Sequence, residues 1–490
     1  MSFGAAMMRS GLMLMGWLGA VGCGGDVPQS GRAGRTDAGG AMTGTPPFLH
    51  AVTLPPVLTP TSSDSSGDHY DLTIKAGTAQ MRPGAATPIV GFNGMVPGPT
   101  IIATKGRPIT VTQTNAWSEN VTIHNHGHKV AADSDGHPVD YITPGNAKVY
   151  HYPNDQRAST YWYHDHTMSL TDSHVYYGLA GFYIIHDPAE DSLNLPSGSH
   201  DVPLLLQTKL FNADNTLSTV ALNKPLPGEV PVVDGVATPY LAVDTSHYRL
   251  RLLNGTSHRV LTLYIAVDGA SAGEPFSVIG SDGGLLAAPV EETSLPMAPG
   301  ERYDLVFDFS RYPVGTHLTL IDAGSVDSAN NLSVGFIQFV VTASGHDTSS
   351  VPAHLSTISR YLPFDAVSTT QVQLGFNGSN WVINGQTYDP ARIDETSKLD
   401  TVYIWELSNH SVFNVLHPFH KHLTQFQILD INGQPPPPYQ AGWKDTIKVN
   451  DGGTTRIIFK NETFTGTYVF HCHKLDHEDE GMMAQEQVSN

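Results

Sequence analysis

Val402-Tyr403-Ile404-Trp405-Glu406-Leu407-Ser408-Asn409 reads as a β-strand that ends in asparagine. It follows the turn Ile383-Asn384-Gly385 and a connection through Pro390. The same order occurs twice earlier in the chain. Val233-Asp234-Gly235 leads through Pro239 to Tyr248-Arg249-Leu250-Arg251-Leu252-Leu253-Asn254, and Phe92-Asn93-Gly94 leads through Pro97 and Pro99 to Ile109-Thr110-Val111-Thr112-Gln113-Thr114-Asn115. Asn-Gly and Asp-Gly are tight-turn dipeptides. The turns recur about every 140 to 150 residues, which is the size of a domain rather than of a small solenoid repeat. The repeat predicts an all-β chain of three β-sandwich domains, over residues 67–190, 191–345 and 346–490. The boundaries fall near His186-Asp187-Pro188 and in the polar stretch after Val341. Helical periodicity is scarce, and Gly 47 with Pro 34 supports a turn-rich fold.

Outward from this body, the N-terminus has a different character. Arg9 precedes an apolar run from Gly11 to Val21, which reads as a signal peptide over residues 1–22. The run is short for a membrane span, and no later segment could form one. Ala20-Val21-Gly22-Cys23 resembles a bacterial lipoprotein cleavage site, which would leave Cys23 lipidated and N-terminal. Residues 23–66, rich in Gly, Ser, Thr and Pro, read as a flexible tether. The expectation is an exported protein of the periplasm or cell envelope, anchored through Cys23. A formal charge of −20 disfavours nucleic acid as a partner. A monomer is expected.

Histidine is the abnormal count, at 24 against two cysteines. Four clusters concentrate it: His124-Asn125-His126-Gly127, Trp162-Tyr163-His164-Asp165-His166, His417-Pro418-Phe419-His420-Lys421-His422 and His471-Cys472-His473-Lys474-Leu475-Asp476-His477, the last followed by Met482. A lone His-x-His pair is weak evidence for a metal, because solvated strand faces produce such pairs. The fourth cluster is more specific. One thiolate, an imidazole five residues on and a thioether five beyond match a blue copper site, whereas zinc favours paired Cys or three firm ligands with an open position. In a strand, successive side chains point to opposite faces. If Cys472 faces one metal, His471 and His473 face away together and can hold a second centre. The peptide between them is then a short covalent path for electrons.

In this order, the four clusters resemble the copper-binding segments of multicopper oxidases. Trp162 to Met168, Gly178 to Pro188 and His477-Glu478-Asp479-Glu480-Gly481-Met482-Met483 are similar to the bacterial spore-coat laccase and bilirubin oxidase branch. The likeness covers roughly residues 70 to 490. It implies three cupredoxin-like Greek-key β-sandwiches with a trinuclear copper cluster shared between the first and third. It also implies four coppers per chain, one type 1, one type 2 and two type 3. His417, Cys472 and His477 would bind type 1 copper, with Met482 axial. His124 and His420 would bind type 2. His126, His164, His166, His422, His471 and His473 would bind the type 3 pair. Asp135 and Glu478 match acidic residues that deliver protons to dioxygen. A plain turn residue at Asp135 or a surface carboxylate at Glu478 are the bland readings. His128, His137, His151, His174 and His186 read as structural or surface residues.

The implied activity is one-electron oxidation of phenols, aryl amines or tetrapyrroles, coupled to four-electron reduction of dioxygen to water. A metallo-oxidase acting on Mn(II), Cu(I) or Fe(II) is the nearest alternative. Five of the 12 Met lie in the first fifteen residues and no later Met-rich stretch exists, which counts against Cu(I). A copper-binding or electron-carrier protein would need only the type 1 ligands.

Overall fold

The computed structural model describes residues 47–490, apart from 223–225, 227, 325–334, 412 and 414. The expected signal peptide, Cys23 and the first part of the expected tether lie outside the described residues. Six sheets fall in three successive pairs along the chain, with two short α-helices, Thr171–Tyr177 and Leu475–Asp479. The fold is all-β, three cupredoxin-like sandwiches in series. Each has its own apolar core: Leu72, Phe92, Val111 and Tyr161 in the first, Leu250, Leu263, Phe307 and Phe339 in the second, Leu374, Trp405, Phe419 and Ile457 in the third.

The three turns of the repeat are realised alike. Asn93 and Gly94, Asp234 and Gly235, and Asn384 and Gly385 all have positive φ, the geometry that makes Asn-Gly and Asp-Gly the favoured choices. Each first residue turns its side chain back onto the strand two before it along the chain. Asn93 Oδ1 accepts from Thr73 N (2.9 Å), Asp234 Oδ1 from Leu205 N (3.0 Å) and Asn384 Oδ1 from Gln373 N (2.8 Å). The strands that follow, Ile109–Asn115, His247–Asn254 and Val402–Asn409, each pair in parallel with that earlier strand.

The terminal asparagines close the sandwiches. Asn115 Nδ2 donates to Ile142 O, Asn254 Nδ2 to Met297 O, and Asn409 Nδ2 to Val449 O, at 2.7, 3.0 and 3.0 Å. All three are buried. A buried amide must satisfy its hydrogen bonds, and loops, joined for Asn254 and Asn409 by the facing sheet, supply the partners.

One expectation is corrected. Residues 47–66, read by composition as the end of the tether, lie against the body. Phe48 N donates to Thr238 O, Val52 N to Tyr240 O and Leu58 N to Thr100 O, each at 2.8 Å, and Ser62–Asp64 pairs with Gly67–Ala79. Backbone donors suffice for this, so the segment needs no hydrophobic period.

Candidate metal centres

Two adjacent strands sort the third and fourth clusters onto two faces. His417–Lys421 runs antiparallel to Gly466–Cys472, with Phe419 opposite Cys472 and His420 opposite His471. Side chains alternate along a strand, so His417 shares a face with Cys472, and His420 shares the other with His471. On the first face, His417 Nδ1 lies 3.4 Å and His477 Nδ1 3.6 Å from Cys472 Sγ, and the two nitrogens are 3.2 Å apart. His477 reaches this point from the helix Leu475–Asp479. Met482 is buried in the same core as Cys472, and its backbone bridges the group: Cys472 N donates to Met482 O, and Met482 N to His477 O. Met483 packs elsewhere, with Tyr388 and Val469.

The second face meets the first sandwich. There Ile123–His126 pairs with Ser159–Asp165, placing His124 directly opposite His164. His166 Nε2 and His422 Nε2 lie 3.2 and 3.3 Å from His471 Nε2. His124 stacks on His422, and His126 on His420, with ring centroids 3.7 and 3.6 Å apart. His473 fills the remaining side, 4.9 Å from His126 and 5.6 Å from His164 between centroids. All eight histidines predicted for the shared cluster are thus brought together, four from each sandwich.

The ring nitrogens are oriented for a metal. Nδ1 of His124, His164 and His420 donates to the backbone carbonyls of Asp135 (2.6 Å), Asp165 (2.7 Å) and Asp445 (2.8 Å). Each Nε2 is then left buried with no protein partner. His126 is reversed: Nε2 lies 3.0 Å from both Asp445 Oδ1 and Thr446 Oγ1, and Nδ1 is the orphan. Buried polar atoms without partners are uncommon, and converging imidazole lone pairs are what a metal ion takes. Burial pushes the pKa of His124, His126, His164, His166, His417, His420, His422, His473 and His477 down, to about 4 for His164 and about 3 for His417. These imidazoles are therefore neutral and ready to coordinate. Burial pushes the Cys472 thiol up, with the Lys474 backbone opposing it. A lone thiolate with two imidazoles and a thioether suits copper better than zinc.

Both predicted carboxylates are buried against ring nitrogens. Asp135 Oδ2 accepts from His422 Nδ1 at 2.7 Å, and Glu478 places Oε2 3.0 Å from His471 Nδ1 and Oε1 3.3 Å from His166 Nδ1. Glu478 is thus no surface carboxylate. Asp135 does sit in a turn, after the short 3-10 segment Ala132–Ser134, but its carboxyl faces inward. Burial pushes Asp135 up to about 8, against the pull of Lys148 and Lys421. An acid so raised keeps its proton near neutrality, and its Oδ2 meets the His422 ring.

Of the other histidines, His128 and His174 are buried in the first sandwich, His137 bonds Gln485, and His151 and His186 are exposed. None joins a group of converging ligand atoms among the described residues. Sequence reasoning missed Asp445, Thr446, Arg302 and Trp381. Trp381 stacks on His477 at 4.1 Å and meets His417 edge-on at 5.1 Å. Lys444-Asp445 interrupting an apolar run was the one signal for Asp445; Arg302 carried none, because its partner lies in another sandwich.

Comparison with known proteins agrees with this geometry. Residues 73–190 and 361–490 each match a multicopper oxidase family model. The chain is 36% identical to bilirubin oxidase from Albifimbria verrucaria over 90% of its length and 81% of the relative's. It is 33% identical to a laccase from Bacillus subtilis, over 89% and 97% of the two chains. The crystal structure of a laccase from Pediococcus acidilactici superposes with a TM-score of 0.83 at 33% identity, covering 91% of this chain and 95% of that one. With matched models at both ends of the body and full-length relatives above 30% identity, the chain belongs to the multicopper oxidase family, copper-dependent oxidoreductases that use dioxygen.

Proposed function

We propose that this enzyme is a laccase-like oxidase of phenols, aryl amines or tetrapyrroles, working with four coppers. The observation that carries the reading is the divergence of two neighbouring residues: Cys472 Sγ lies 3.4 Å from His417, while His471 Nε2 lies 3.2 Å from His166. His417, Cys472, His477 and Met482 would hold type 1 copper. His124 and His420 would hold type 2, and His126, His164, His166, His422, His471 and His473 the type 3 pair. Bound there, copper would supply one-electron uptake at the thiolate site and four-electron reduction of dioxygen to water.

The protein's own groups do the rest. The Cys472–His471 peptide links the two sites. Glu478 lies beside Nδ1 of His166 and His471, at 3.3 and 3.0 Å, while His471 Nδ1 meets the Cys472 carbonyl at 3.1 Å. Asp135 holds a proton on its buried carboxyl within the cluster wall, where water formation consumes protons. Trp381 roofs His477, and beside it Phe376 and the 56% exposed Phe413 extend an aromatic surface. That surface suits flat aromatic donors by stacking. The resemblance to a bilirubin oxidase and a laccase points the same way.

Metal analysis of copper-supplemented protein tests the reading. Four coppers per chain with an intense blue thiolate band are expected; stoichiometric zinc without that band overturns it. Relative kcat/KM for a phenol, bilirubin, Mn(II) and Cu(I) decides the donor, and a preference for either ion would replace the aromatic donor with a metal. We also propose export as a lipoprotein acylated at Cys23 and a monomeric state. Support is the leader-like sequence, and mass spectrometry of envelope protein decides it, since an unmodified Cys23 ends that proposal.

A further inference from the structure

Among the described residues, the middle sandwich contributes none of the converging His and Cys, yet its turn Pro299-Gly300-Glu301-Arg302 reaches the cluster. Gly300 has a positive φ, and a Cβ there would lie 3.0 Å from the His473 ring. Next to it, the fully buried Arg302 makes a fork onto Asp445, Nη1 to Oδ1 at 2.7 Å and Nη2 to Oδ2 at 2.6 Å. Its remaining donors go to Thr160 O (3.0 Å), Gly300 O (2.9 Å) and Asp282 O (3.2 Å). The guanidinium therefore ties all three sandwiches together.

Asp445 passes that constraint to two histidines. Its Oδ1 is 3.0 Å from His126 Nε2, and its carbonyl accepts from His420 Nδ1 at 2.8 Å. Thr446 Oγ1 supports the same pair, 3.0 Å from His126 Nε2 and 3.2 Å from His420 Nδ1. Asp282, also from the middle sandwich, accepts the backbone N–H groups of Arg302 (2.8 Å), Asp445 (3.3 Å) and Thr446 (3.2 Å). His126 belongs to the first sandwich and His420 to the third. Their stacked rings are thus held by a part that the middle sandwich anchors. Gly127 leaves room for this: it has a positive φ, and a Cβ there would collide with Asp445 Oδ2, Arg302 and Tyr161.

We propose that Arg302 and Asp445 are positioning residues, a clamp by which the middle sandwich sets His126 and His420 in place for the shared metal cluster. This rests on the ligand reading above. A bidentate guanidinium–carboxylate pair fixes direction as well as distance. A carboxylate on the outer nitrogen of a ligand histidine fixes the ring and its tautomer. Pure inter-sandwich adhesion would need the ion pair but not the contacts to the two rings.

Full-length, copper-loaded protein tests the clamp. Copper content and the blue band of the parent come first, and their absence would sink the ligand reading itself. Three variants then follow. Asp445→Asn keeps the shape and removes the charge that Arg302 holds. Thr446→Val removes one hydroxyl. Asp304→Asn breaks an equally buried cluster, with Arg249 at 3.0 Å, Arg251 at 3.1 Å and Thr160 at 2.8 Å, which makes no hydrogen bond to a ligand histidine. Chelator competition should show copper in the histidine cluster held ~10–100-fold more weakly in Asp445→Asn, the usual scale for an outer partner of a ligand. Thr446→Val should show a smaller loss of the same kind. The Cys472 band should stay unchanged in both, and Asp304→Asn should retain parental copper. Parental affinity in Asp445→Asn and Thr446→Val, or an equal loss in Asp304→Asn, overturns the clamp. Should Asp445→Asn fail to fold, Thr446→Val alone decides in the same way.

Discussion

Cys472 and His471 are joined by one peptide bond, yet their side chains serve different groups. Cys472→Ser should therefore abolish the blue band and donor oxidation together while leaving the copper of the histidine cluster; a phenol turned over at the parental rate would place electron transfer elsewhere. Asp135 tests a different function. Its carboxyl touches His422 but offers no ligand atom to any converging group. Asp135→Asn should keep every copper and slow the half-reaction with dioxygen by ~10–100-fold, with anaerobic reduction by the donor unchanged in stopped flow. The metal-free protein carries its own signature of Asp135. Burial raises this acid to about 8, so the folded state holds a proton the unfolded chain has released. The stability linked to it is full below about pH 4 and is lost as pH rises toward about 8. Denaturant melts of metal-free Asp135→Asn should lack that decline.

At the scale of elements, the strand pair His417–Lys421 and Gly466–Cys472 decides which residues share a centre. A slip of one residue would exchange the two faces. The staple at Asn409 helps hold that register, because it bonds Val449 O, and Val449 lies opposite His417. Asn409 Nδ2 also donates to Val415 O at 2.8 Å, and its Oδ1 accepts from Ser411 N at 3.0 Å. Asn409→Ala would leave these buried groups unpaired. A loss on the order of 1–3 kcal/mol for each uncompensated group is expected, visible as a lower denaturation midpoint and a blue band that bleaches earlier on heating. An unchanged midpoint would mean that solvent replaces the staple. The turns were legible as Asn-Gly and Asp-Gly dipeptides; what the strand-ending asparagines bond was not, because their partners lie in distant strands.

For the whole molecule, the metal cluster is a concentration of buried neutral imidazoles between two sandwiches. The unfolded chain protonates histidine near its ordinary value, about 6.5, whereas the folded values are depressed, to about 4 at His164 and about 3 at His417. Depressed histidines contribute stability that is present above about pH 6.5 and lost as pH falls through the folded values. Metal-free protein should therefore unfold steeply on acidification from about pH 6.5 to 4, with several protons taken up per molecule. Bound copper should move that transition to lower pH and raise the melting temperature, because a ligand of the folded state alone stabilises it. Circular dichroism against pH, with and without copper, checks both; identical acid transitions would argue against metal held by these histidines.

By itself the sequence determined the chemistry and the plan of the chain. Turn dipeptides, strand patterns and closely spaced ligands are local, so the three repeats, the four histidine clusters and the Cys472 motif could be read directly. Closeness in sequence also placed His471 and Cys472 on opposite faces of a strand, because alternation is a local rule. The family resemblance already implied that clusters of the first and third sandwiches meet; tertiary structure alone decided what holds them. The stack of His126 on His420, the contact of Asp135 with His422 and the fork of Arg302 on Asp445 join residues hundreds of positions apart or from different sandwiches. Such pairings leave no local pattern. Burial did the same for charge: Asp135 lies in what reads as an ordinary Ser-Asp-Gly bend, and only removal from water makes it an acid that keeps its proton near neutrality.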